Sequence, residues 1–163
     1  MRDLLPDLFD CYHEHLSFIG SHFRQYGKHP IFWGEVVTIK CFEDNSKVKS
    51  TLAQDGRGKV LVVDGSGSRR ALLGDMITQT AVDNGWSGIV IAGNVRDVGK
   101  LRSMNIGIQA LGANPIKTEK KDQGEVNIQL VLEGVIINPG MVLYADDNGV
   151  AVSASKLDLS KIC

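Results

Sequence analysis

Two dipeptides, Gly74-Asp75 and Arg96-Asp97, carry the side chains best suited to chemistry. Each follows a short apolar run, and residues that leave strand ends at a crossover are where α/β sheets bind ligands. Asp97 offers a hard oxygen ligand. Magnesium and manganese commonly take one or two protein carboxylates and fill the remaining positions with water and substrate oxygens, so a single aspartate suffices. Arg96 presents a planar guanidinium fork to a carboxylate or an enolate. Asp75, read as the N-cap of a helix over 76–84, leaves the amides near Met76 and Ile77 at the positive end of the helix dipole, which draws an anion.

A 2-oxo acid fits that combination. Its keto oxygen and carboxylate chelate a divalent cation, while Arg96 and the amides of residues 74–77 hold the remaining negative charge. Such a site stabilises a pyruvate-like enolate and needs no lysine for a Schiff base. Each part also has a plainer reading, in which Asp75 and Asp97 only cap the helices that follow them.

The elements that must position these residues lie between 60 and 111. Strands are expected over 59–63, 69–73, 88–92 and 106–111, with helices over 76–84 and 98–104 between them. That alternation implies a partly parallel sheet with helices packed on it. Upstream, apolar residues at 8, 9, 12, 16, 19 and 23 have helical spacing, so a helix or pair of short helices is expected over 7–23, with Pro6 in its first turn. A β-branched run predicts a strand over 34–42, and a short helix is expected over 47–54. Residues 117–125 read as a polar, exposed stretch. Beyond them, 126–132, 135–137, 141–144 and 150–153 read as short strands joined by tight turns.

Length and composition bound the rest. The 163 residues suit a single domain over 1–163, and 43% apolar with 23% charged residues is a globular composition. The formal charge of -1 argues against direct binding of a nucleic-acid backbone. No apolar run reaches membrane-spanning length, and no basic segment leads into an apolar core at the N-terminus, so the expected compartment is the cytoplasm. Cys11, Cys41 and Cys163 are odd in number and widely spaced, which favours idle thiols over disulfides or zinc.

Three tempting patterns fail on inspection. Gly65-x-Gly67-x-x-Arg70 has arginine where a dinucleotide fingerprint needs its third glycine. His13 and His15, two apart, fall on different faces of a helix and do not form a ligand pair. Asp146-x-Asn148 lacks the downstream glutamate of a calcium loop and reads as a turn.

The segments VLVVDGSGSRRALLGDM, NGWSGIVIAGNVRDV and IGIQALG closely resemble the RraA-like family, which includes class II 4-hydroxy-4-methyl-2-oxoglutarate aldolases and the regulator of ribonuclease activity A. TIKCFEDNS and LYADDNGVAVS extend the resemblance over nearly the whole chain. It implies a swivelling β/β/α domain, a mixed sheet with flanking helices, in a homotrimer with sites between neighbouring subunits. It also implies cleavage of 4-hydroxy-4-methyl-2-oxoglutarate, or a related 4-hydroxy-2-oxo acid, to pyruvate with Mg2+ or Mn2+, and oxaloacetate decarboxylation through the same enolate. By the same resemblance Gly74, Asp75, Met76 and Ile77 contact substrate, Arg96 binds substrate and Asp97 is the metal residue. Two departures stand out: Lys100 occupies a position where the aldolase pattern has an acid, and the C-terminal extension of longer aldolases is not expected here. The alternative implied function is a non-catalytic regulator that binds and inhibits ribonuclease E.

Overall fold

The computed structural model describes residues 3–162; Cys163 and the first two residues lie outside the described residues. In chain order the elements begin with α1 (Leu5–Tyr12), β1 (Leu16–Gly20), β2 (Arg24–Gln25), β3 (Phe32–Lys40), α2 (Ser46–Leu52), β4 (Lys59–Asp64), β5 (Ala71–Leu73) and α3 (Asp75–Asp83). They continue with β6 (Gly88–Val95), α4 (Val98–Leu101), β7 (Gly107–Ala113), β8 (Glu125–Val126), β9 (Leu130–Leu132), β10 (Val135–Ile137), β11 (Val142–Asp146) and β12 (Gly149–Ser153). The result is the expected mixed α/β architecture, a large mixed sheet with few flanking helices.

The sheet runs β1-β12-β11-β3-β4-β6-β7-β2, with β5 beside β6 and β8 beside β3. Its centre, β3-β4-β6-β7, is parallel; β11, β12, β1 and β2 add antiparallel strands at the two sides. Alternate residues of the central strands feed opposite cores, as a period of two requires. Leu61, Val63, Ile89 and Ile91 point into a core shared with Val48, Leu52, Ala81 and Leu101 of the helices. Val60, Val62 and Val90 point the other way, into a core closed by Leu130, Leu132 and Ile137 of the β9–β10 hairpin. A smaller core holds α1 against Tyr144 and Ala151.

The expected helix over 7–23 stops at Tyr12. After a short 3-10 turn at His13–His15, the chain enters β1, with Leu16 opposite Ser153 and Phe18 opposite Ala151 of β12. Ladder hydrogen bonds to a sheet edge outweigh a local helical spacing, which is a weak preference by itself. Similarly, the strand expected over 126–132 is broken at Asn127, whose φ of 56° interrupts the extended backbone between β8 and β9.

The Asp146 turn reading holds, and it extends across the chain. Asp146 accepts from the Asn148 amide at 2.6 Å and from the amides of Leu4 and Leu5 at 2.9 and 2.8 Å, so a buried carboxylate satisfies the orphan donors that begin α1. No helix among the described residues is long and apolar enough to cross a membrane.

Candidate active site

The parallel pairing of β5 with β6 brings the two dipeptides together. Leu73 lies opposite Val95, and the Arg96 amide donates to the Leu73 carbonyl at 2.9 Å, so Gly74 and Arg96 leave neighbouring strands side by side. The sheet therefore builds the convergence that the sequence only suggested.

Asp97 stands at the N-cap of α4 with φ 58°, a left-handed conformation that aspartate tolerates better than most residues. It makes no side-chain cap there. Its Oδ2 instead accepts from the Asp75 amide at 3.0 Å, across to the first turn of α3. The simple capping role considered for Asp97 thus does not apply to α4. Asp75 is likewise not the N-cap of α3: that position belongs to Gly74, with no side-chain cap, and Asp75 is the first helical residue. The displacement has a cause, because Asp97 supplies from a distance the acceptor that a capping side chain would have given.

Gly74 is extended at φ -139°, so backbone freedom does not explain its glycine. Space does: a Cβ there would meet Asp97 Oδ2 at 2.8 Å and the Arg96 side chain at 3.4 Å. Arg96 Nε sits 3.9 Å from Asp97 Oδ2, a loose contact that leaves both groups about one-third open to solvent, at 38% and 36%. Lys100 Nζ reaches Asp75 Oδ2 at 2.9 Å. That hydrogen bond, then the neighbouring Asp97, lower the Asp75 pKa below the usual carboxylate range against the opposing effect of burial, with smaller help from the Lys100 charge and the Met76 amide. Asp75 in turn raises Lys100 above the usual lysine range.

All six predicted site residues, Gly74, Asp75, Met76, Ile77, Arg96 and Asp97, line one cavity of about 250 Å³. A larger cavity of about 840 Å³, walled by Phe32, Trp33, Gly34 and Trp86, opens at the other end of the parallel strands and contains none of them. Size alone would favour the larger one, but only the smaller combines a carboxylate, a guanidinium and the amides of a helix N-terminus. Sequence reasoning missed Asn45, Lys49, Lys117 and Lys120, which also line the smaller cavity. The last two fall in the stretch read as merely polar and exposed.

Among the described residues no three acidic, histidine or cysteine side chains gather around one point. His13 and His15 stay exposed in their 3-10 turn. The Gly65-Ser66-Gly67 turn is followed by β5 rather than by a helix, and Ser66 and Gly67 both have positive φ. A dinucleotide fingerprint requires the helix that is missing there.

The RraA-like family model, described as Aldolase/RraA, matches residues 5–152. A Shewanella oneidensis protein named "Putative 4-hydroxy-4-methyl-2-oxoglutarate aldolase" is 58% identical over 161 residues, covering 98% of each chain. One of the same name from Vibrio cholerae is 47% identical, over 98% of this chain and all of its own. Among solved structures, the RNA-processing inhibitor RraA of Thermus thermophilis superposes with a TM-score of 0.92 at 40% identity, over 97% of this chain and 96% of that one. A Geobacillus kaustophilus structure described as an S-adenosylmethionine: 2-dimethylmenaquinone methyltransferase superposes with a TM-score of 0.93 at 39% identity, over 99% of this chain and 100% of that one. The match across residues 5–152 and the near-complete overlap with these relatives place the chain in the RraA-like family.

Proposed function

We propose that this chain is a divalent-metal-dependent lyase that cleaves 4-hydroxy-4-methyl-2-oxoglutarate, or a related 4-hydroxy-2-oxo acid, to pyruvate, and that it also decarboxylates oxaloacetate. The observation that carries the reading is the convergence of the Asp97 carboxylate, the Arg96 guanidinium and the first turn of α3 on one cavity. The name carried by relatives up to 58% identical points the same way.

The donors suit a small, hard cation. Asp97 is about one-third exposed, on the cavity wall, and a glycine at 74 keeps its Oδ2 uncrowded. Among the described residues no cluster of three acidic, histidine or cysteine side chains surrounds the site, so Mg2+ or Mn2+, which keep several waters, fit better than zinc or calcium. Asp97 would hold the ion, and when bound it would act as a Lewis acid on the 2-oxo group.

The chain's own groups do the rest. Arg96 binds the substrate carboxylate and the charge that moves toward the 2-oxo oxygen. The first turn of α3 lends partial positive charge to the same region. In the cleavage the bond between C3 and C4 breaks and its electron pair passes into the enolate of pyruvate, while C4 becomes a carbonyl. The proton lost from the 4-hydroxyl balances the one gained at C3. Oxaloacetate loses carbon dioxide to give the same enolate, so one charge-stabilising site serves both reactions.

The reading takes the chain as one domain acting as a homotrimer. Met76, on the cavity wall and 80% exposed, supports a site completed against a neighbouring copy. Pyruvate release from either substrate with Mg2+ or Mn2+, by the parent and by Asp97→Ala, tests the proposal. A second reading, regulation of ribonuclease E without chemistry, has the Thermus RNA-processing inhibitor in its favour. Co-purification of the nuclease with this chain, undiminished in Asp97→Ala, would support it.

A further inference from the structure

The larger cavity, of about 840 Å³, lies at the end of the sheet opposite Asp97. Trp33 and Glu35 reach it from the start of β3, Trp86 and Ser87 from just before β6, and Lys156 from just after β12. Its aromatic floor is set against backbone. A Cβ at Gly88 or Gly107 would strike the Phe32 ring, and one at Gly56 the Trp86 ring, so both rings rest directly on glycines. The Trp86 indole also donates to the Gln54 carbonyl at 3.1 Å. Phe32 and Trp86 are buried, whereas Trp33 is 41% exposed, an open ring beside two fixed ones. Volume and lining suit a small organic molecule with an aromatic part.

The charges on the walls narrow the choice. Besides His29, the ionisable side chains there are Glu35 and Lys156. Among the described residues neither lies within 4.0 Å of an opposite charge, so they do not pair with each other. Both are carried by ordered backbone. Glu35 is two residues beyond Trp33 and on the same face of β3, with Val142 opposite it on β11 and Tyr144 opposite Trp33. The segment that carries Lys156 is closed by the Ser153 hydroxyl, which donates to the Ser155 carbonyl at 2.6 Å, and by the Leu157 amide, which donates to the Tyr144 hydroxyl at 2.8 Å. Tyr144 thus joins the strand beside Trp33 to the loop of Lys156. An anion and a cation that face one cavity without meeting complement a ligand bearing both charges. A ligand with a single charge would satisfy one wall and bring a like charge toward the other.

We propose that this cavity binds a zwitterion with an aromatic body, an α-amino acid of the phenylalanine class, its ammonium toward Glu35, its carboxylate toward Lys156 and its ring against Trp33. The site is separate from the cavity beside Asp97 and does not depend on the lyase reading. Covering the open face of Trp33 supplies most of the affinity. Glu35 and Lys156 are exposed, so each adds a few-fold and together they select the zwitterion.

Isothermal titration calorimetry on the full chain compares L-phenylalanine with phenethylamine, which lacks the carboxylate, 3-phenylpropionate, which lacks the ammonium, and glycine, which lacks the ring. L-Phenylalanine is expected to bind about two- to fivefold tighter than either single-charge analogue and about tenfold or more tighter than glycine. Glu35→Gln should erase its advantage over 3-phenylpropionate and keep that over phenethylamine; Lys156→Met should do the reverse. Circular dichroism checks that the variants fold. Because Trp33 is the exposed one of the two tryptophans, binding should shift the indole emission to shorter wavelength in the parent and not in Trp33→Ala. No binding of L-phenylalanine, no preference among the four compounds, or preferences unchanged in both charge variants would overturn the site. So would sedimentation in which Trp33→Ala breaks up an assembly of the parent, because this face would then be the contact between copies.

Discussion

The Asp75 main-chain amide donates to Asp97 Oδ2 at 3.0 Å, joining the start of α3 to the acid that leaves β6. Through this bond the carboxylate proposed to hold the metal is oriented by the helix turn proposed to hold the substrate. Disturbing either side moves the other, and the first prediction follows from the glycine between them.

Gly74→Ala places a Cβ 2.8 Å from Asp97 Oδ2, while the extended backbone at 74 accepts alanine without strain. The carboxylate has to shift by a few tenths of an ångström. Misplacement in a reacting site costs far more in rate than in stability, so kcat/KM for pyruvate formation is expected to fall about tenfold to a hundredfold. The thermal midpoint should move by only a few degrees. Unchanged kcat/KM would mean that the Asp97 position does not matter.

Lys100→Met removes the ammonium that neutralises Asp75 while keeping the length of the side chain. Two acids then face the cavity with one positive neighbour fewer, and Mn2+ measured by electron paramagnetic resonance should bind about two- to fivefold tighter, the scale expected of an exposed ion pair. The pH dependence follows as well. The Asp75 pKa is lowered in the folded chain, so the ion pair stabilises above the usual carboxylate range and that contribution is lost as pH falls through the lowered value. The difference in thermal midpoint between parent and variant should therefore narrow in acid.

Asp44 is 2% exposed and accepts from Ser46, Lys121 and Gln123. Burial opposes its ionisation, but the hydrogen bonds from Ser46, Lys121 and Gln123 outweigh that and hold its pKa down at about 2. Its contribution to stability is thus present above the usual carboxylate range and fades as pH falls from about 4 toward 2. Asp44→Ala leaves amides without their acceptor and should cost about 1–3 kcal/mol in urea unfolding. Hydrogen exchange at Lys121 and Gln123 should accelerate more than in β4 or β6.

The Cys41 thiol is pushed up to about 12, chiefly by burial and then by the negative charges of Asp44 and Asp64. Since the thiolate is the reactive form, peptide mapping after alkylation of native protein at pH 8 should show Cys11 modified and Cys41 protected. Equal labelling of the two would mean that this core opens readily.

Local pattern reveals much of this architecture and little of its polar wiring. The apolar runs at β4 and β6 are read from a few consecutive residues, and so is the helix between β5 and β6. The crossover they imply was enough to put Gly74 near Arg96. Helical spacing alone carries α1 too far along the chain, because β1 forms only when β12, some 130 residues later, offers an edge. Local sequence sets the α3 cap one residue late, at Asp75, because the acceptor for the Asp75 amide, Asp97, is 22 positions away. Nothing local marks Lys117 and Lys120 as cavity residues for a similar reason: Asp44 and Asn45 anchor that segment across 73 to 79 positions. Short-range spacing has no access to such bonds.

The most direct test of the lyase account measures pyruvate from 4-hydroxy-4-methyl-2-oxoglutarate with Mg2+ or Mn2+, for the parent, Arg96→Ala and Asp97→Ala. Losing one charge-assisted hydrogen bond costs about 1.5–3 kcal/mol, so Arg96→Ala should fall at least about tenfold. Asp97→Ala should lose its response to added metal altogether. Equal, metal-stimulated turnover by the parent and Asp97→Ala would contradict the account.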